Sequence, residues 1–181
     1  MQNRYGASVA KGLIAGAVGG LVASWAMNVF MKNAGAKLQM AVETEEESEQ
    51  AAWEQAMQND VPKEDATMKT AEAVVEAVTG GRHLSWKEKK IGGPIVHYAF
   101  GTLMGGLYGA AAEYSRTARS GNGTLFGAAL FTGADLIAVP ALHLSSASGK
   151  EPASSLATPY AAHLVYGVTT EFVRRLVRAV L

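Results

Sequence analysis

Four stretches of this chain are long, apolar and almost free of charge, and they constrain its folding more than any other feature. A helix that crosses the roughly 30 Å hydrocarbon layer of a bilayer needs about 20 mostly apolar residues. Residues 12–31 carry no charge and are bracketed by Lys11 and Lys32. Residues 91–112 are also uncharged and follow Trp86, Lys87, Lys89 and Lys90, an aromatic and basic cluster suited to the headgroup level. Residues 124–142 are interrupted only by Asp135. Residues 156–173 contain His163 and Glu171 and are closed by Arg174, Arg175 and Arg178. A soluble surface helix sets a charged face opposite its apolar stripe, and these stretches lack one. The expected fold class is all-α: a polytopic membrane helical bundle of about four transmembrane helices, one membrane domain over residues 1–181, with a polar, helical insert at 40–90.

The first stretch has a positive start, Arg4 and Lys11, and Ala34-Gly35-Ala36 resembles a signal cleavage site. A signal's apolar region usually runs about 7–15 residues. This one is longer, and Lys32 stands between it and the small residues, so it reads as a retained span.

Three stripes of glycine fall at one-turn spacing: Gly12, Gly16 and Gly20; Gly101, Gly105 and Gly109; Gly123 and Gly127. In lipid, small residues let helix backbones approach closely enough for van der Waals packing to hold them. The stripes predict tight helix pairs, within one chain or between chains. The expected partners are therefore the lipid bilayer and a second copy in a homo-oligomer. A phosphate-binding loop is excluded, because no Gly-Lys-Ser/Thr follows and no strand precedes.

The insert differs in character. Glu43, Glu45, Glu46, Glu47 and Glu49 form an acidic run, and Thr44 with Glu47 fits a capping box that opens a short helix to about Asn59. Pro62 is placed to open a second helix, with Met68, Ala71, Val75 and Val78 on one face and Lys69, Glu72 and Glu76 turned away. Gly80-Gly81 supplies the stop. A charge run of this kind is ordinarily a solvated face, with a docking surface or a cation-attracting vestibule as the alternatives.

With four spans, both termini and the loop at 113–123 share one side, and the density of Arg and Lys there favours the cytoplasm. The topology also sets depth. His97 lies six residues past Ile91, His163 seven past Leu156, and Asp135 seven before Leu142. At 1.5 Å per residue all three sit about 10 Å below the same surface, with Asn28 slightly shallower. Ionisable groups at such depth are costly and are functional candidates by default. Three readings fit this layer: polar contacts that hold the bundle together, a proton relay, or a divalent-metal site that lacks an obvious fourth ligand. A relay needs a continuation, for which Tyr166, Glu171 and Glu113 are the available groups. Pro140 frees the carbonyl of Leu136 beside Asp135, and either kinks the third helix there or helps to end it.

The formal net charge is zero, which is unlike a nucleic-acid binder, and the absence of cysteine excludes disulfides, thiolate metal sites and a cysteine nucleophile. No hydrolase, zinc-protease or dinucleotide motif is present, and Ser145, Ser146 and Ser148 near His143 make no nucleophile signature. The chain is read as no enzyme, with no cofactor and no assigned metal.

His97-Tyr98-Ala99-Phe100-Gly101 and His163-Leu164-Val165-Tyr166-Gly167 share the pattern His-x-x-aromatic-Gly, which hints at two duplicated helix pairs. These segments, with Gly105, Tyr108-Gly109, Gly133-Ala134-Asp135, Pro140-Ala141-Leu142, Glu171 and Arg174, resemble the YagU-like family. These are small bacterial inner-membrane proteins containing a domain of unknown function. The resemblance is strongest over 91–178, extends to the first helix only in character and hardly touches the acidic insert. It implies a multi-pass protein of the bacterial inner (cell) membrane and carries over no activity. The leading expectation is a non-catalytic protein that self-associates or supports the envelope. The alternative is proton- or ion-linked transport or sensing at His97, Asp135 and His163.

Overall fold

The computed structural model describes residues 8–50, 64–144 and 153–181, and among them every regular element is helical. The stretch to Asn59, Pro62 and the serines at 145–148 lie outside the described residues. Helix α1 (Val9–Phe30) is capped by the Ser8 side chain, which accepts from the Lys11 amide. It continues through a π-helical turn at Met31–Gly35 into α2 (Ala36–Val42). Residues 45–50 open a further helical stretch, where Thr44 and Glu47 exchange both capping-box hydrogen bonds, at 2.9 and 3.3 Å. Helix α3 (Ala66–Thr79) is capped by Asp65 rather than by a proline and stops at Gly80, whose φ of 75° suits a residue without Cβ. Helix α4 (Trp86–Tyr114) begins five residues before the apolar run, because Ser85 and Glu88 form a capping box there. Helix α5 (Thr124–Phe131) runs through a π-helical segment, Thr132–Ala138, into the short α6 (Val139–Ala141). Helix α7 (Ala157–Val180) closes the chain. Two of these rods, Val9–Val42 with 34 residues and Ser120–Ala141 with 22, are long and apolar enough to cross a membrane.

The bundle is organised around α1, which packs on α4 and α7, while α5 packs on α7. The glycines set these approaches and their direction. A Cβ on Gly12, Gly16 or Gly20 would meet the backbone of Gly109, Gly105 or Gly101 at 2.6, 2.1 and 2.2 Å respectively. Rising numbers on α1 meet falling numbers on α4, so the two helices are antiparallel. Gly127 meets the His163 carbonyl and Gly123 that of Gly167 in the same antiparallel sense. All eight stripe positions (Gly12, Gly16, Gly20, Gly101, Gly105, Gly109, Gly123 and Gly127) are thus packed against another helix of the same chain. They no longer argue for association between chains.

Burial is inverted relative to a water-soluble bundle. The buried residues are mostly Gly, Ala, Ser, Thr and Tyr together with His163, Glu171 and Arg174, and Leu130 is the one Leu, Ile, Val or Met among those described. Ile14, Leu21, Trp25, Ile95, Leu103, Leu107, Phe172 and Leu176 all face outward, Trp25 with 60% of its surface exposed. Soluble proteins put those residue types inside and rarely expose large contiguous apolar patches.

The insert helix is docked on the bundle rather than lying free. Gly92 and Gly93 of α4 let Ala71, Thr67 and Met68 of α3 come close. Lys89, with 11% of its side chain exposed, pairs with Glu64 at 2.6 Å and with Glu72. Three expectations are corrected here. Lys89 is not a headgroup anchor but the tie between insert and bundle, and Glu72 turns toward α4 instead of away. Val78, expected on the packed face, is 81% exposed, because α4 covers only the first part of α3.

Candidate functional site

The long helical rods leave a groove unfilled between α4 and α5. Helix α4 leans mainly on α1 and α5 on α7, and the two share few close backbone approaches, meeting where the Tyr108 and Phe126 rings stack at 4.3 Å near their connecting turn. Between them lies a cavity of about 650 Å³. Ser24 and Met27 of α1 and Tyr166 of α7 floor it, Phe100 and Met104 of α4 line one wall, and Phe126 of α5 lines the other. Thr67 and Thr70 of the insert helix close one end. The π-helical register before Pro140 turns Asp135 into this space, and the helix then ends at Ala141, with His143 at φ 55°. Of the two roles considered for Pro140, the helix end is observed one residue beyond it.

His97, Asp135 and His163 all line the cavity. His163 is nearly buried, and its Nδ1–H donates to the Pro159 carbonyl at 2.9 Å. The same nitrogen stands 3.7 Å from an Asp135 oxygen, beyond hydrogen-bond length. His97 Nε2 is buried without a hydrogen-bond partner among the described residues. The layer therefore faces a cavity with hydrogen-bonding capacity unspent. Asn28 is not part of it: its amide donates to the Tyr98 hydroxyl at 3.3 Å, one residue along from His97. The two His-x-x-aromatic-Gly segments meet directly, since the Tyr166 hydroxyl donates to the Gly101 carbonyl at 2.5 Å. Among the described residues no group of three His, Cys, Asp or Glu is arranged to hold a metal ion.

A second polar cluster lies where α1 begins and α7 ends. Glu171, 1% exposed, accepts from Tyr108 at 2.8 Å, from Arg174 at 2.6 and 2.9 Å and from Arg175 at 2.7 Å. Glu113 accepts from Arg178 at 2.8 and 3.1 Å and from the Ser8 amide at 3.1 Å. Arg175 also reaches Asn122 in the α4–α5 turn. The cluster joins α1, α4, the turn and α7. Its signal in the sequence was the spacing of Glu171, Arg174, Arg175 and Arg178 on one helical face, but nothing local named Tyr108 or Glu113 as partners.

The Arg178 guanidinium holds the Glu113 carboxyl below the ordinary carboxylate range, helped by the Ser8 amide and the charge of Arg174. A depressed folded-state pKa contributes stability that is complete above the unfolded value of 4.5 and lost as pH falls through the folded one. The thermal midpoint in detergent should thus drop on acidification below that value. Glu113→Gln should start lower at neutral pH and drop less. Parallel curves for the two proteins would show that this pair contributes nothing to acid sensitivity.

The family described as "Protein of unknown function (DUF1440)" matches residues 51–172. The chain belongs to this family. It is the family to which the YagU-like resemblance pointed. The match opens inside the insert, well before residue 91, so α3 is part of the DUF1440 domain whereas α1 precedes it. His97, Asp135, His163, Glu113 and Glu171 all fall within the matched region, and Arg174 and Arg178 just beyond it. No curated protein and no solved structure matches the chain.

Proposed function

We propose that this DUF1440 protein crosses a bacterial inner membrane four times and that the His97–Asp135–His163 cavity carries proton- or ion-linked transport or sensing. The inverted burial supports the membrane reading, because an outward apolar face has no solvent but lipid. Helices α4 and α7 join the two more apolar rods as spans for separate reasons. The charges of α4 sit in its first turns and at Glu113 in its last, on either side of an uncharged run at 91–112. Those of α7 are at one end, where Glu171 and Arg174 are buried and paired inside the bundle.

The observation that carries the functional reading is the unspent layer. Groups that serve only to hold helices together bond to one another, whereas Asp135 stands 3.7 Å from His163, and His97 Nε2 has no partner among the described residues. A carboxylate and two imidazoles around one cavity are side-chain types from which intramembrane proton relays are built. The reaction is non-catalytic in the enzymatic sense: a proton or ion moves, and no bond of a substrate changes.

The test is proton flux in liposomes reconstituted with the full chain. Wild type should collapse an imposed pH gradient at least about tenfold faster than empty vesicles, and Asp135→Asn should return the rate to that of empty vesicles. Equal background rates in both proteins would retire the reading and leave the layer as polar packing.

A further inference from the structure

Resting on that reading, we propose that the ion exchanged for the proton is a membrane-soluble organic cation, bound by Asp135 among the aromatic rings of the cavity and admitted sideways from the lipid between α4 and α5. Three features of the groove carry this. Its volume, about 650 Å³, suits a molecule of drug-like size rather than a bare ion. Its walls are largely apolar, and the rings of Phe100, Phe126 and Tyr166 border the same space as Asp135. Aromatic faces and a carboxylate together attract cations that have little water to lose. Finally, α4 and α5 share few close backbone approaches beyond the Tyr108–Phe126 ring stack near their connecting turn, and the groove between them offers a lipid-dissolved molecule access along the flank of the bundle.

Charge balance links the cation to the proton. The titratable groups facing Asp135 are His97 from α4 and His163 and Tyr166 from α7. Helix α1 brings Ser24 and Met27, and α3 brings Thr67 and Thr70, none of which titrates. An uncompensated carboxylate in hydrocarbon is costly, so the empty layer holds a proton. A bound cation supplies the same positive charge, and the proton leaves. One cation enters for one proton released, and the charge of the layer is unchanged. A neutral molecule of the same shape gains the apolar contacts but cannot displace the proton.

The probe is tetraphenylphosphonium, added to the purified full chain in detergent, with binding followed by equilibrium dialysis and proton release in weakly buffered solution. Expected are saturable binding, about one proton released per cation, and an apparent Kd that rises about tenfold for each unit of acidification in the range where the layer is protonated. Asp135→Asn should lose both signals. Because that variant can fail to fold, the pH dependence in wild type and retention of binding by Asp135→Glu stand as independent checks. Binding that is independent of pH and survives Asp135→Asn would overturn the proposal, since it is then simple partition into an apolar groove. Proton flux that depends on Asp135 in a protein that does not bind the probe would also overturn it, while leaving proton transport in place. Binding with proton release but no flux would support the site and remove only the transport reading.

Discussion

Gly105→Leu should cost about 3 kcal/mol or more of stability and separate α1 from α4. A Cβ at this position meets the Gly16 carbonyl oxygen at 2.5 Å and the Gly20 Cα at 2.6 Å. Both are backbone atoms of a neighbouring helix, so no rotamer change relieves the clash. The helices must move apart along the whole shared face, and a gap of only 0.5–1 Å forfeits roughly a quarter to a half of each atomic contact. The neighbouring glycine is the control. A Cβ on Gly106 finds its nearest heavy atom at 3.5 Å, an ordinary contact. Gly106→Ala should therefore be neutral, or gain up to about 1 kcal/mol from helix propensity. Denaturant unfolding in mixed micelles checks both. Similar midpoints for the two variants would mean that the stripe does not set the approach of α1 and α4.

The second large effect is expected at Glu171. Its carboxylate is 1% exposed and Arg174 is 4% exposed, so each charge depends on the other for compensation. Glu171→Gln leaves the guanidinium of Arg174 buried, with only Glu113, 3.9 Å away, as a counter-charge. Removal of one partner from a buried pair costs about 3–5 kcal/mol, whereas replacement of both by apolar groups is often close to neutral. The double variant Glu171→Leu with Arg174→Leu should accordingly be more stable than Glu171→Gln alone, a non-additivity that marks direct coupling. The same unfolding measurement reads this out. A loss under about 1 kcal/mol for the single variant would place the pair in water, at the strength of a surface ion pair.

Both predictions rest on features that differ in how far the sequence revealed them. The glycine spacing was plain, because a one-turn repeat of small residues has one main physical use in a helix. Which stripes would meet was not plain. The pairing of Gly16 with Gly105 and of Gly127 with His163 depends on how four helices arrange themselves around α1, and side-chain spacing carries no record of that. The capping of α4 by Ser85 and Glu88 was legible as a motif, but the apolar run after it drew the boundary to residue 91. Lys89 was misassigned because a lysine beside an apolar run suits a headgroup as well as a carboxylate. Only the docking of α3 supplies Glu64 and Glu72.

The candidate site shows the same division. Helix rise and alternating direction were enough to put His97, Asp135 and His163 at one depth, since depth in a bundle is a one-dimensional quantity that residue counting delivers. Whether groups at one depth touch is set by rotation about each helix axis and by which helices are neighbours. Asn28 turned to Tyr98, Asp135 stopped short of His163, and the insert brought Thr67 and Thr70 to the cavity. What the sequence by itself determined was helical content, the apolar stretches, the small-residue stripes and the depth of the polar layer, all of them consequences of local periodicity and composition. What the tertiary structure decided was the groove between α4 and α5, the inward turn of Glu171 and Arg174, and the hydrogen bonds the layer leaves unmade. These are contacts between distant segments, fixed only when the backbones close-pack.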